Sequence, residues 1–177
     1  MFLIPFEPKP QSRPRATVRG RHAAVYEYPK MMKWRNQVTD YIKENYDGRY
    51  FDSAIRVDVV FYMKAPQNVS KKPSERAKDK AKQLYSKYIS ERLCHEKKPD
   101  LDNLIKSLFD SISKSEIVWS DDNIVCDLRA RKLYSPNPRI EIEIEEIEWA
   151  EQEIAIELNL QWRLLKRNLI TCGETDE

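Results

Sequence analysis

Apolar residues recur along the chain with two periods, and the switches between them mark the elements. Phe2 to Glu7 reads as an edge strand, ended by Pro8 and Pro10. Pro29 suits the first position of a helix. Met32, Trp34, Val38, Tyr41, Ile42 and Tyr46 then recur at helical spacing up to Gly48, a stop signal. Ile55, Val57, Val59 and Phe61 alternate with Arg56, Asp58 and Val60, which predicts a strand. Residues 64–96 form an insert. In it Ser74 is the expected N-cap, and Ala77, Ala81, Leu84, Tyr85, Tyr88 and Ile89 mark one helical face.

A second helix is expected from about Leu101 to Ser113, burying Leu101, Leu104, Ile105, Leu108, Phe109 and Ile112. Ile124 to Tyr134 reads as a strand. Ile140, Ile142, Ile144 and Ile147 nearly alternate with glutamates, giving a final strand with an acidic outer face. The tail carries Ile154, Leu158, Trp162, Leu165 and Leu169 as an apolar stripe, which predicts a helix. Strands with helices between or after them imply an α+β fold, with a small mixed sheet covered by helices on one side. The expected division is a 1–148 domain containing the insert, followed by a helical extension over 149–177.

Composition narrows the picture. A chain of 177 residues suits one domain with one real core. It holds no apolar run of about 18 residues, so no membrane span is expected. The apolar N-terminus lacks a basic leader and is interrupted by Pro5 and Glu7, so it reads as a strand rather than a signal peptide. A cytoplasmic location is the expectation. Cys94, Cys126 and Cys172 are odd in number and show no Cys-x-x-Cys spacing, which points to reduced thiols.

The net charge of +2 conceals an asymmetry. Residues 1–35 carry eight Lys/Arg against two acids, 64–98 eleven against four, and 140–177 three against eleven. Basic surface steers polyanions such as nucleic acid; a merely solvated face is the plainer alternative. Arg13, Arg15, Arg19 and Arg21 sit in what reads as a basic loop with no core to serve, so phosphate contacts are expected of them. Lys71, Lys72, Lys97 and Lys98 flank the insert and the acidic segment, and backbone contacts with a nucleic acid are expected there too. His95 reads as a surface or capping residue. Arg129, Arg131 and Lys132 read as a strand face with no assigned role, and Trp119 and Phe109 as core.

The chemistry concentrates in Lys97-Lys98-Pro99-Asp100-Leu101-Asp102-Asn103-Leu104-Ile105-Lys106 and in Trp119-Ser120-Asp121-Asp122. N-capping accounts for one of Asp100 and Asp102 and poorly for two. Lys106 lies one turn after Asp102, and Asp110 one turn after Lys106; the plain reading is a ladder of ion pairs. Asp121-Asp122 follow a helix and a turn later, so three or four carboxylates are expected to converge. Such convergence needs a cation. All-oxygen ligands suit Mg²⁺ or Mn²⁺ rather than zinc, and Mg²⁺ held this way serves phosphoryl transfer. Lys106 would hold a phosphate oxygen or steady the nucleophilic water.

These segments resemble the RusA family of Holliday-junction resolvases. Pro5, Pro8, Lys9 and Arg13-Pro14-Arg15 resemble its opening segment, and the Ile140–Ile147 strand its closing one, so the likeness spans roughly residues 2–148. The resemblance implies a homodimer that binds four-way DNA junctions and nicks opposed strands with Mg²⁺. It makes Asp100, Asp102 and Asp122 the acids of the site, Lys106 the catalytic lysine, Asn103 a supporting residue, and Asp121 a further metal-side residue. The insert 64–96 and the tail 149–177 depart from compact members. A branched-DNA-binding protein that does not cut is the alternative, and an adaptor using the acidic tail a weaker one.

Overall fold

The computed structural model describes residues 1–12 and 29–147, the backbone of two strands over 15–19 and 22–26, and Gln161. The chain divides into two compact units, Met1–Glu145 and Glu146–Glu177. The expected tail helix lies, apart from Gln161, outside the described residues.

The core is one mixed sheet with helices on one side, as the pattern predicts. Its strands are β1 (Phe2–Ile4), β4 (Ile55–Lys64), β5 (Val125–Ser135) and β6 (Arg139–Glu146), in the order β1-β6-β4-β5. β1 pairs antiparallel with β6, Phe2 opposite Ile142, and β4 pairs parallel with β5, Phe61 opposite Lys132. The alternation of β4 sends Ile55, Val57, Val59, Phe61 and Met63 inward. β1 is shorter than expected because Pro5 cannot donate to a ladder.

Two helices cover the inner face. α1 (Pro29–Asn45) buries Met31, Trp34, Val38, Thr39 and Ile42. Met31 rather than the expected Met32 faces the core; Met32 is 48% exposed. α4 (Leu101–Ser115) buries Leu104, Leu108, Phe109 and Ile112, together with Ser107, Ser111 and Ser115. The serines are small enough to let α1 and α4 approach, and each returns its hydroxyl to a backbone carbonyl: Ser107 to Leu104, Ser111 to Ser107, Ser115 to Ile112. Thr39 of α1 donates to the Ser111 carbonyl at 3.1 Å. Trp119 is buried edge-on against Phe109, its indole N–H donating to Ser113 Oγ at 2.9 Å.

Three expectations are corrected. The basic segment after Gln11 is not simply a loop: β2 (Arg15–Arg19) and β3 (His22–Tyr26) pair antiparallel, Arg19 opposite His22. Arg15, Thr17 and Arg19 alternate with Ala16 and Val18, a period-2 pattern that the charges obscured. In the insert, helix α3 (Asp79–Ile89) starts five residues after Ser74, behind a short helix α2 (Gln67–Ser70). Of its expected apolar face only Tyr88 is buried, whereas Leu84 and Ile89 are exposed.

The outer face of the sheet is charged and self-paired. Arg56 meets Asp127 at 2.9 Å, and Asp58 meets Arg131 at 2.9 Å and Arg129 at 3.7 Å. Further along, Arg139 lies 3.7 Å over the Tyr62 ring, forks onto both Glu91 carboxylate oxygens at 2.8 Å, and reaches Glu141 at 2.8 Å. Glu91, two residues after α3, takes a left-handed conformation (φ 56). Its carboxyl is held below the usual carboxylate range, chiefly by the Arg139 hydrogen bonds. The pair's contribution is therefore present above that range and lost as pH falls through the depressed value. Glu91→Gln should lower unfolding free energy at neutral pH by about 1–3 kcal/mol. In urea titrations the gap from the unaltered protein should close in acid.

Candidate active site

Asp100 stands at the N-cap position of α4 in extended backbone (φ −74, ψ 148), just after the cis Lys98–Pro99 peptide, yet its side chain makes no capping hydrogen bond. Capping therefore does not account for this carboxylate. Asp102, in the first turn, is exposed and accepts from Asn103 Nδ2 at 3.2 Å. Asn103 in turn offers its carbonyl to the Gln11 amide at 2.8 Å. Lys106 follows one turn on, exposed, and no ion pair or hydrogen bond ties it up among the described residues. An open basin of about 730 Å³ lies beside the start of α4, lined by Pro10, Gln11, Lys98, Pro99, Asp100 and Asn103.

The N-terminal segment is sewn to α1 and α4. Trp34 Nε1 donates to the Glu7 carbonyl at 3.0 Å, Ser107 Oγ to the Lys9 carbonyl, and Arg35 to Gln11 Oε1 at 2.7 Å. The chain thus leaves the site at Gln11 and enters the arginine-bearing hairpin four residues later, at Arg15.

The second acidic pair is anchored by Trp119. Ser120 N–H donates to the Phe51 carbonyl at 3.0 Å, and Asp121 caps the 3-10 turn Asp122–Ile124 by accepting from Asn123 N–H at 2.9 Å. Asp122 titrates above the usual carboxylate range: the turn strips water from its carboxyl, and Asp121 and then Asp110 add negative charge. Asp110 pairs with Arg35 at 3.3 Å and not with Lys106, which corrects the expected ladder. Asp110 lies two helical turns, about 12 Å, from Asp102. The acids accordingly form two groups along α4, with Lys106 between them. Among the described residues no three acid, histidine or cysteine side chains are close enough to hold one metal ion, so the expected convergence at one point is not found.

A metal of the expected class still fits the donors. Zinc sites are built mainly on histidine nitrogen and cysteine sulfur, and the two acidic segments offer neither. Mg²⁺ takes one or two carboxylates and completes its shell with water and substrate phosphates. The like charges that raise Asp122 mark a place where a cation would be favourable.

The matching of the chain to known proteins decides its kin. Residues 5–145 match the model of the family described as endodeoxyribonuclease RusA. The chain belongs to the RusA family. It is also 28% identical over 146 residues to YqaN of Bacillus subtilis (strain 168), itself uncharacterised, covering 82% of this chain and 95% of that one. In this RusA-family chain the match takes in the hairpin, both acidic segments, β4, β5 and all but the last residue of β6, and stops short of the tail.

The remaining candidates fall into place unevenly. Lys71, Lys72, Lys97 and Lys98 are exposed, Lys98 on the rim of the basin. The side chains of Arg13, Arg15, Arg19 and Arg21 lie outside the described residues. Arg129 and Arg131 are committed to Asp58. His95 is not a surface residue: it is 7% exposed, its ring 4.5 Å from that of Tyr134, and burial pushes its pKa down. Cys94 and Cys126 are free thiols and Cys172 lies outside the described residues. No helix among those described is long and apolar enough to cross a membrane. Arg35 and Lys132 were given no role by sequence reasoning, because neither lies at a spacing that ties it to a partner so distant in the chain. Removing one like charge should relax Asp122. In metal-free protein, carboxyl ¹³C NMR should show the Asp122 pKa falling toward the usual range in Asp121→Asn.

Proposed function

We propose that this chain is a Mg²⁺-dependent, structure-selective endonuclease that hydrolyses phosphodiester bonds in branched DNA, resolving Holliday junctions by paired nicks as a homodimer. The observation that carries the reading is the Asp100 carboxylate, placed at a helix start but not spent on capping, beside an open basin rimmed by Lys98. Membership of an endodeoxyribonuclease family supports it. Asp100 and Asp102 at the start of α4, and Asp122 with Asp121 beyond Lys106, are the acids that would hold metal; Mn²⁺ would serve as a substitute. Bound Mg²⁺ supplies Lewis acidity at the scissile phosphate.

The chain's own residues do the rest. Lys106, uncommitted and between the two acid groups, holds a phosphate oxygen as charge builds on it. Asn103 keeps the first turn of α4 in register through its bonds to Asp102 and Gln11. Lys71, Lys72, Lys97 and Lys98 grip the DNA backbone, as do Arg13, Arg15, Arg19 and Arg21. The lack of a three-acid group among the described residues favours one rival, a junction-binding protein that does not cut.

A four-way-junction cleavage assay with Mg²⁺ separates the two. Asp102→Asn should abolish cutting while leaving junction binding nearly intact, and Lys106→Met should slow cutting by about 10²–10³-fold. No cleavage of branched, flapped or linear DNA in either Mg²⁺ or Mn²⁺ would sink the nuclease reading. Binding of the Lys97→Ala/Lys98→Ala double variant, measured against salt, should show a slope smaller by about 2.

A further inference from the structure

Lys132 has an unusual set of partners. Its ammonium donates to the Pro99 carbonyl at 2.6 Å and to the Lys97 carbonyl at 2.8 Å. Among the described residues no carboxylate pairs with it. Its neighbours on β5 take the other face, where Arg131 meets Asp58. Lys132, opposite the buried Phe61, points to the helix side and so reaches the chain just ahead of α4.

The surroundings hold Lys132 in place from both sides. Its carbonyl accepts from the His95 amide at 3.0 Å, and the next rung runs from the Tyr134 amide to the Leu93 carbonyl at 2.8 Å. His95 packs its buried ring on Tyr134. The end of the insert is thus laced to β5 at Lys132 itself and at Tyr134, and the carbonyls of Lys97 and Pro99 in the chain that follows take its ammonium.

The two carbonyls are not equivalent. The Pro99 carbonyl belongs to the same rigid peptide group as the Asp100 nitrogen. A charged donor gripping that oxygen fixes the peptide plane, and with it the direction in which Asp100 leaves the loop. Asp100 makes no capping bond of its own to settle that direction. A solvent-facing lysine would give up conformational freedom for nothing here; two short, charge-assisted bonds to one loop are a reason to lose it.

We propose that Lys132 is a positioning residue: through the Lys97 and Pro99 carbonyls it aims the Asp100 carboxylate for a divalent cation. The inference rests on reading Asp100 as a metal-holding residue. Lys132 touches neither the cation nor DNA; it acts by holding the peptide that Asp100 hangs from. Groups that orient a metal ligand from behind contribute tenfold to a hundredfold in metal affinity.

The test compares the full-length chain with Lys132→Met and Lys132→Arg. Mn²⁺ binding without DNA is followed by the electron paramagnetic resonance of free Mn²⁺. Junction cleavage is measured against Mg²⁺ concentration, and thermal melting is recorded for each protein. Lys132→Met should bind Mn²⁺ about tenfold more weakly and need correspondingly more Mg²⁺ for half-maximal cutting, with the maximal rate recovered at saturating Mg²⁺. Lys132→Arg, which keeps charge and donors, should restore most of the affinity. If Lys132→Met does not fold, Lys132→Gln, which keeps a donor without the charge, takes its place in the comparison. Unaltered metal affinity in the variant overturns the inference. So does a loss that arginine leaves unrepaired and that tracks a lowered melting temperature, since that is a purely structural role. An unaltered protein that neither binds Mn²⁺ nor cuts branched DNA overturns the nuclease reading and this inference together, whereas binding and cutting that the variant matches overturn this inference alone.

Discussion

Parallel pairing of β4 with β5 is the constraint on which the rest of the molecule hangs. Two parallel strands cannot be joined by a tight turn; the chain must leave the end of one and return to the start of the other. Here the return runs from Ala65 to Ile124. That single crossing contains the basic insert, Lys97 and Lys98, the acidic start of α4, Lys106, and the Asp121-Asp122 turn. The fold does not so much surround its chemistry as spend its longest obligatory connection on it. α4 is the buried spine of this crossing, and its apolar stripe places Asp102, Lys106 and Asp110 on the opposite, open side.

Much of this was legible beforehand, for physical reasons that can be named residue by residue. β4 announced itself because strict alternation over Ile55–Phe61 has one reading. α4 did so because Leu104, Leu108 and Ile112 leave one helical face polar. The candidate acids stood out because Asp100 and Asp102, two positions apart, exceed what a single cap can use. What escaped were features written in long-range partners. The β2–β3 pairing hid behind arginines that looked like a loop. Ser107, Ser111 and Ser115 looked polar and are core, because their hydroxyls close on the helix's own carbonyls. Asp110 sits four residues from Lys106 and pairs with Arg35 instead, a residue 75 positions away in sequence whose guanidinium only the packing of α1 on α4 brings near.

The electrostatics divide between the two sides of the sheet. On the outer face charges are matched, Arg56 with Asp127 and Asp58 with Arg131 and Arg129 within the sheet, and Arg139 with Glu91 of the insert. On the helix side Asp110 has Arg35, but others are left unmatched: Lys106 has no described partner, Asp122 is pushed up by burial and by its acidic neighbours, and Lys132 bonds only carbonyls. Matched charges anchor and unmatched ones are available for a ligand. The contrast supports the proposed working surface without reference to any relative.

The self-matching outer face has a second effect, at the sheet's margin. β5 is the last strand of the order, and among the described residues Cys126 to Arg131 has no strand on its far side. A bare strand margin is a template on which other chains polymerise. Here Asp127, Arg129 and Arg131 recur along it at every second position, already bonded to β4. An incoming strand would have to strip water from three charges whose partners are taken, and would gain little beyond contact with Leu128. The margin is guarded against aggregation by salt pairs that look, at first sight, purely internal.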